Sequence, residues 1–192
     1  MINHKCHLIF LAIVFAVISR GYCQTLIPAW VNGSKEYNQP GIYGSKNSPS
    51  EFIEPGNRES AASWTDKDGN FWIFGGAGVI NENQYVSFND LWKYNVKEDV
   101  WEWVSGESSP YSPGRYGTKR QPLTDNTPGA RSRTSQWTDN DGNLWLFGGA
   151  GYDKNGSFGW LNDLWKFDIK LLQWVWITGS DLADPIGVYG LP

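Results

Sequence analysis

The sequence predicts an all-β chain built from repeated four-stranded antiparallel sheets, on three observations. The chain matches itself at an offset of 73 residues: Pro55 to Gly106 superimposes on Pro128 to Gly179 without a gap, and 24 of the 52 positions are identical. Each copy holds four short stretches rich in aromatic and aliphatic residues, separated by turn residues. No stretch within the repeat has the period and length of an amphipathic helix.

In the first full copy the strands are expected near Ala61 to Thr65, Phe71 to Phe74, Leu91 to Val96 and Trp101 to Val104; in the second, near Thr134 to Thr138, Leu144 to Phe147, Leu164 to Ile169 and Trp174 to Ile177. Strands one and two are joined by Asp66-Lys67-Asp68-Gly69-Asn70 and Asp139-Asn140-Asp141-Gly142-Asn143, where Asp and Gly tolerate the positive φ of a tight hairpin. Trp30, Gly33, Tyr43 and Gly44 match Trp103, Gly106, Tyr116 and Gly117 at the same offset, and Tyr116 and Gly117 match Tyr189 and Gly190, so the chain begins and ends within a repeat. Residues 24–54 are therefore a partial repeat. Residues 55–127 are a first complete unit with its crossover loop, and 128–192 a second unit with the start of the next crossover.

A four-stranded sheet recurring at a long fixed period points to the blades of a β-propeller, each too small to bury its faces alone. The sequences Phe74-Gly75-Gly76 and Phe147-Gly148-Gly149, then Leu91-Trp92-Lys93-Tyr94 and Leu164-Trp165-Lys166-Phe167, then Trp101 and Trp174, resemble the kelch repeat. Taken with Pro-Gly-x-Arg, Trp-Thr-Asp-x-Asp-Gly-Asn and Asn-Asp-Leu-Trp, they look like the long-repeat propellers related to attractin, muskelin and the central domain of galactose oxidase. The fold class expected is thus a kelch-type β-propeller: two complete four-stranded blades with partial flanking repeats, the ring not closed. A kelch repeat has about 50 residues, so the surplus is expected in loops. In an up-and-down blade the connections alternate between two rims. The short links lie on one rim, and Ala77 to Asp90, Ala150 to Asp163 and Gly106 to Arg131 crowd the other.

Residues 1–23 read as a secretion signal: Lys5, the eleven apolar residues Leu8 to Ile18, then Gly21-Tyr22-Cys23. The apolar run is about half of the roughly 20 residues that a membrane-spanning helix needs, so no span is expected. A lipid anchor at Cys23 is the competing reading, against which Arg20 and Tyr22 depart from a bacterial lipobox. The expected location is extracellular, or periplasmic or cell-surface in a bacterium. Cys6, Cys23, His4 and His7 all fall in this segment, so the remaining chain has no thiol or imidazole for a disulfide, a transition metal or a histidine-dependent triad. Without Lys5 and Arg20, the 16 basic residues become 14 against 20 acidic ones, a net charge of −6 that disfavours nucleic acid as a partner.

The copper site implied by a likeness to galactose oxidase requires a cysteine-crosslinked tyrosine and histidine ligands, so neither oxidase activity nor any cofactor is expected of this chain. A carboxylate pair of the glycosidase kind is conceivable, but no pair is singled out. Asp-x-Asp-Gly-Asn resembles the opening of a calcium loop. The distal glutamate is missing and the register where it would fall is apolar strand, which favours a structural turn. Gly75-Gly76-Ala77-Gly78 and Gly148-Gly149-Ala150-Gly151 lack the helix and lysine of a phosphate loop, and favour close backbone approach.

Arg58 and Arg131 recur at the entrance to the first strand, where a guanidinium ties strand to loop or faces a central channel. Asn81 to Phe88 and Asp153 to Leu161 share no identity in register, as expected of loops diversified on a constant scaffold. Their aromatics Tyr85, Phe88, Phe158 and Trp160 are the candidate contact residues, the alternative being that they fold back over the rim. Asn32-Gly33-Ser34 and Asn155-Gly156-Ser157 are sequons for N-glycosylation in a eukaryotic pathway.

The expected function is that of a secreted, non-catalytic binding module for a protein or glycan. Two other readings stay open: a piece of an extracellular carbohydrate-active enzyme with its catalytic residues elsewhere, and a structural spacer. Because a propeller ring needs at least about four blades, the sequence is expected to be part of a longer protein or to self-associate through open blade edges.

Overall fold

The computed structural model describes residues 31–81, 84–187 and 189. The predicted secretion signal lies outside the described residues. The chain divides into two units at Asn32 and Gly33, and every strand among the described residues belongs to the second. The described residues are all-β, with twelve strands and no helix, and so contain no helix long and apolar enough to cross a membrane.

The first repeat forms a four-stranded antiparallel sheet in the order β2 (Ala62–Thr65), β3 (Phe71–Phe74), β6 (Leu91–Asn95) and β7 (Val100–Ser105). A small second sheet, β1 (Arg58–Glu59), β4 (Ala77–Asn81) and β5 (Gln84–Ser87), continues beyond it. The second repeat merges the corresponding pieces into one sheet. There β8 (Arg131–Ser132) and β9 (Ser135–Thr138) pair along β10 (Leu144–Tyr152), which pairs with β11 (Phe158–Asp168) and then β12 (Gln173–Thr178).

The core strands and their short turns lie where the sequence places them. Asp66 holds its turn by accepting from the Asp68 and Asn70 backbone N–H groups (3.0 and 2.9 Å), the Asn70 side-chain amide (3.0 Å) and the Trp72 indole (2.9 Å). Asp139 makes the same four contacts in the second repeat. Both oxygens of each carboxylate are thus engaged by the hairpin itself, as in an Asx turn.

The long links differ from expectation, since 77–90 and 150–163 are β-hairpins and not irregular loops. Gly75 and Gly76 have φ of 61° and 90°, and Gly148 and Gly149 have 62° and 98°, a left-handed step that only glycine takes without strain. In the first repeat it separates β3 from β4, and in the second it bends the strand without ending it. In β10 the ladder merely slips between Phe147 and Gly149 and runs on to Tyr152↔Phe158. A Cβ on Gly75 would lie 2.7 Å from the Arg131 carbonyl oxygen, so the glycine also permits the close approach of the next repeat.

The two sheets pack face to face. Trp64, Trp72, Phe74 and Val104 of the first meet Leu144, Leu146, Phe167 and Trp174 of the second in one buried cluster. Trp72 lies 5.8 Å from Phe167 and Phe74 lies 5.1 Å from Trp174, both tilted or edge-on as aromatic quadrupoles prefer. The Trp64 indole donates across the junction to the Trp137 and Trp145 carbonyls (3.1 and 3.2 Å). A strap closes the outer edge of each sheet. In the second it is bridged at Arg115↔Thr127 and donates to the Trp176 and Trp174 carbonyls; in the first, 73 residues earlier, it is bridged at Ile42↔Glu54 and donates to those of Trp103 and Trp101. The first strap is formed by the described part of residues 24–54, and residues 24–30 lie outside the described residues.

Trp165 is fully buried and its indole is hydrogen-bonded, whereas Trp160 is exposed. Trp165→Ala is expected to cost about 3 to 5 kcal/mol in urea unfolding, and Trp160→Ala no more than about 0.5 kcal/mol. Equal costs would contradict this placement of the core.

Candidate functional site

Arg58 and Arg131, singled out in the sequence, are interior. Arg131 donates Nε to the Gly129 carbonyl (3.0 Å), one terminal nitrogen to the Gly148 carbonyl (3.1 Å) and Asp163 (2.6 Å), and the other to Asp163 (2.8 Å). Asp163 also accepts from the Tyr116 hydroxyl and the Trp165 indole, each at 2.7 Å. Arg58, Asp90, Tyr43 and Trp92 repeat this arrangement at 2.6 to 3.0 Å. Arg131 and Asp163 have no side-chain exposure and Arg58 has 6%, so neither arginine presents its charge to a channel. Of the two readings of these arginines, the tie between strand and loop is the one the geometry supports.

Burial alone would raise the Asp163 carboxyl. The Arg131 charge and the hydrogen bonds from Arg131, Tyr116 and Trp165 outweigh it and hold Asp163 below the usual carboxylate range. The Tyr116 and Tyr43 hydroxyls are pushed far up, first by burial and then by the adjacent carboxylate. At the Asp139 turn, desolvation is outweighed by the Trp145 and Asn143 donors, which bring the carboxyl down to about 2.

The aromatic candidates separate. Phe88 is 3% exposed, with the Arg58 guanidinium 5.1 Å above its ring, so it is framework and not a displayed contact. It follows β5 two residues after the buried Val86, and alternation puts it on the same inward face, beside the Arg58 network. Tyr85, Phe158 and Trp160 are 56%, 59% and 62% exposed. Tyr85 and Phe158 occupy equivalent positions of the two hairpins, near their free ends. On the second hairpin, Tyr152 pairs with Phe158 and Ala150 with Trp160, so these side chains share a face. The opposite face carries Gly151 and Gly159, where a Cβ would strike the Ala130 carbonyl and the Asp184 carboxylate, each at 2.4 Å. One face is therefore sealed and the other displays aromatics.

Tyr111 and Tyr152, which the sequence reading did not single out, join the candidates into a row. The Tyr111 hydroxyl donates to the Tyr85 carbonyl (2.9 Å), the Tyr111 ring lies 5.5 Å from Tyr152, and Tyr152 lies 5.2 Å from Phe158. Tyr111 sits in the crossover between the repeats, and only the fold brings it between the hairpins. Tyr85 donates to Glu59, whose hydrogen bond raises the phenol pKa. Beside it a cleft of about 250 Å³ is bordered by Tyr37, Asn57, Arg58, Glu59 and Val79.

Asp153 fixes the second hairpin tip, accepting from the Asn155 and Ser157 N–H groups (2.8 and 2.9 Å) and, from the following segment, that of Ala183 (3.1 Å). Asn155 at this tip and Asn32 are both exposed. Among the described residues no group of three or more His, Cys, Asp or Glu side chains is placed to hold a metal ion.

No protein-family model matches the chain, and no curated protein matches it. Among solved structures it is similar to one described as "Structure of YjhT", at 22% identity and a TM-score of 0.44, over 65% of this chain and 38% of that one.

Asp163→Asn leaves Arg131 charged, buried and uncompensated, and is expected to destabilise by about 3 to 5 kcal/mol. Because free Asp titrates near 3.9, the depressed Asp66, Asp139 and Asp163 contribute stability that is complete above about pH 4 and is lost as pH falls toward 2. The raised Tyr43 and Tyr116 contribute stability that is complete below about pH 10 and is lost above it. Urea midpoints measured across pH should form a plateau with both flanks. An acid flank that Asp139→Asn leaves unchanged would remove the turn from this account.

Proposed function

We propose that the two sheets are neighbouring blades of a kelch-type β-propeller and that the chain is a non-catalytic recognition module, acting outside the cell, whose contact surface is the hairpin rim. One contrast carries the reading. The residues identical in both repeats, Arg58/Arg131, Asp90/Asp163, Trp92/Trp165 and the paired glycines, are engaged within the framework. The hairpin segments that differ between repeats display an exposed aromatic row.

Such a row supplies large, rigid contact area at low entropic cost and stacks on the apolar faces of sugars or inserts into a protein partner. The sealed rear face of the second hairpin and the Asp153 tie hold the row in place before any ligand arrives, which lowers the cost of ordering on binding. The ligand class is a glycan or a protein.

In a glycan and secreted-protein screen, a ligand found for the full chain should lose about 30-fold or more in affinity with Trp160→Ala or Phe158→Ala, the level of a binding hot spot, while the melting temperature stays at that of the parent. Binding indifferent to both substitutions, or no ligand at all, would leave the spacer reading in its place.

A further inference from the structure

The 73-residue offset relates a buried face of the first sheet to a partly exposed face of the second. Trp64, Trp72 and Phe74, at 4%, 1% and 1% exposure, are buried by the second sheet. Their equivalents Trp137, Trp145 and Phe147 lie on the corresponding face of the second sheet, where Trp137 and Phe147 are each 44% exposed. Trp137 stacks on Trp145 at 5.6 Å, with the rings 12° from parallel, whereas Trp64 reaches across a junction to backbone carbonyls.

The complementary surface is present at the other end of the same chain. The residues that cover Trp72 and Phe74 are Phe167 and Trp174, and their equivalents on the first sheet are Tyr94 and Trp101. Beside them Phe71 is 38% exposed, although its equivalent Leu144 is fully buried in the junction. The strap over this side adds Phe52, 76% exposed, where the second strap carries Asp125. Backbone groups repeat the match. Within the chain the Gly76 N–H donates to the Arg131 carbonyl (2.8 Å) and the Arg131 N–H to the Phe88 carbonyl (3.0 Å). Across a second junction the same bonds would join Gly149 to Arg58 and Arg58 to Leu161.

We infer that the Trp137, Trp145 and Phe147 face is an interaction surface for a second copy of this chain, which docks on it the Phe71 and Trp101 face of its first sheet. The pairing is head to tail, because the two surfaces are different ends of one molecule. A heterologous contact of this kind closes into a ring when its rotation allows, and two to four chains would supply the roughly four to eight sheets that propellers contain. The inference stands on the repeat geometry and not on what the rim binds.

The test is the mass of the full chain by light scattering over a range of concentrations, for the parent and for Phe147→Asp and Phe71→Asp. Both substituted positions are partly exposed, and near-ultraviolet circular dichroism checks that each variant folds. The parent should be multimeric and each variant a single chain. Mixing the variants should give a two-chain species, since one supplies the intact second-sheet face and the other the intact first-sheet face. A parent that stays a single chain overturns the proposal, and so does one that instead captures a different protein bearing this repeat. Self-association of Phe71→Asp alone would also overturn it, by showing that like faces meet.

Discussion

Asp163 is the point at which three distant parts of the second repeat are held to one another. Arg131 arrives from β8, Tyr116 from the strap and Trp165 from β11, and all three donate to one carboxylate. Burying an ion pair costs several kcal/mol per charge and is offset only when the remaining donors are also satisfied. Here the offset is nearly complete, because the Gly129 and Gly148 carbonyls bring to four the guanidinium N–H groups with an acceptor, and Tyr116 and Trp165 complete the carboxylate. The network is therefore better read as a device for specificity than as a large source of stability. It admits one placement of strap, inner strand and hairpin base, and the paired glycines are part of it, since the Gly148 carbonyl is presented to Arg131 by the left-handed step.

Two consequences follow for packing. With strap and hairpin fixed, the sheet presents two flat aromatic faces instead of one, and each needs a neighbour. The first junction shows the match: Tyr116 lies 5.0 Å from Trp165 and 5.1 Å from Trp176, inside the cluster that also holds Trp72 and Phe74. On the first repeat the equivalent Tyr43 keeps the same 5.1 and 5.0 Å spacing to Trp92 and Trp103, but with Ile53 beside it the cluster is smaller. The local geometry is thus set by the repeat itself. The extent of burial is set by what stands next to it.

That division explains how much the sequence reveals. The four core strands, the Asp66 and Asp139 turns and the glycine contacts are legible because each follows from a local rule repeated twice. The arginines are legible down to two roles, and the choice between them needs the position of Asp90 and Asp163, 32 residues away in sequence. The hairpins at 77–90 and 150–163 read as loops because glycines and polar residues normally break strands, and the left-handed pairs that bend a ladder without ending it carry the same letters. Phe88 is misplaced for a related reason. It lies two residues beyond the buried Val86, so strand alternation carries it to the inward face, where the Arg58 guanidinium covers its ring, but a segment read as a loop offers no alternation to follow. Tyr111 and Tyr152 go unnoticed because a crossover and a strand end have no shared pattern until the fold sets them 5.5 Å apart.

The same division bears on which parts of such a chain are free to vary. A substitution at Arg131, Asp163 or Trp165 strands a buried partner, so these positions have little freedom to vary. Tyr85, Phe158 and Trp160 project from hairpins whose bases are pinned by that network, and a change there disturbs no buried group. The rim can therefore change chemistry at nearly constant stability, while the network keeps its aromatic face presented. A rigid interior that absorbs the repeated residues and a permissive rim that holds the varied ones are two results of one constraint, the need to satisfy a buried carboxylate in every repeat.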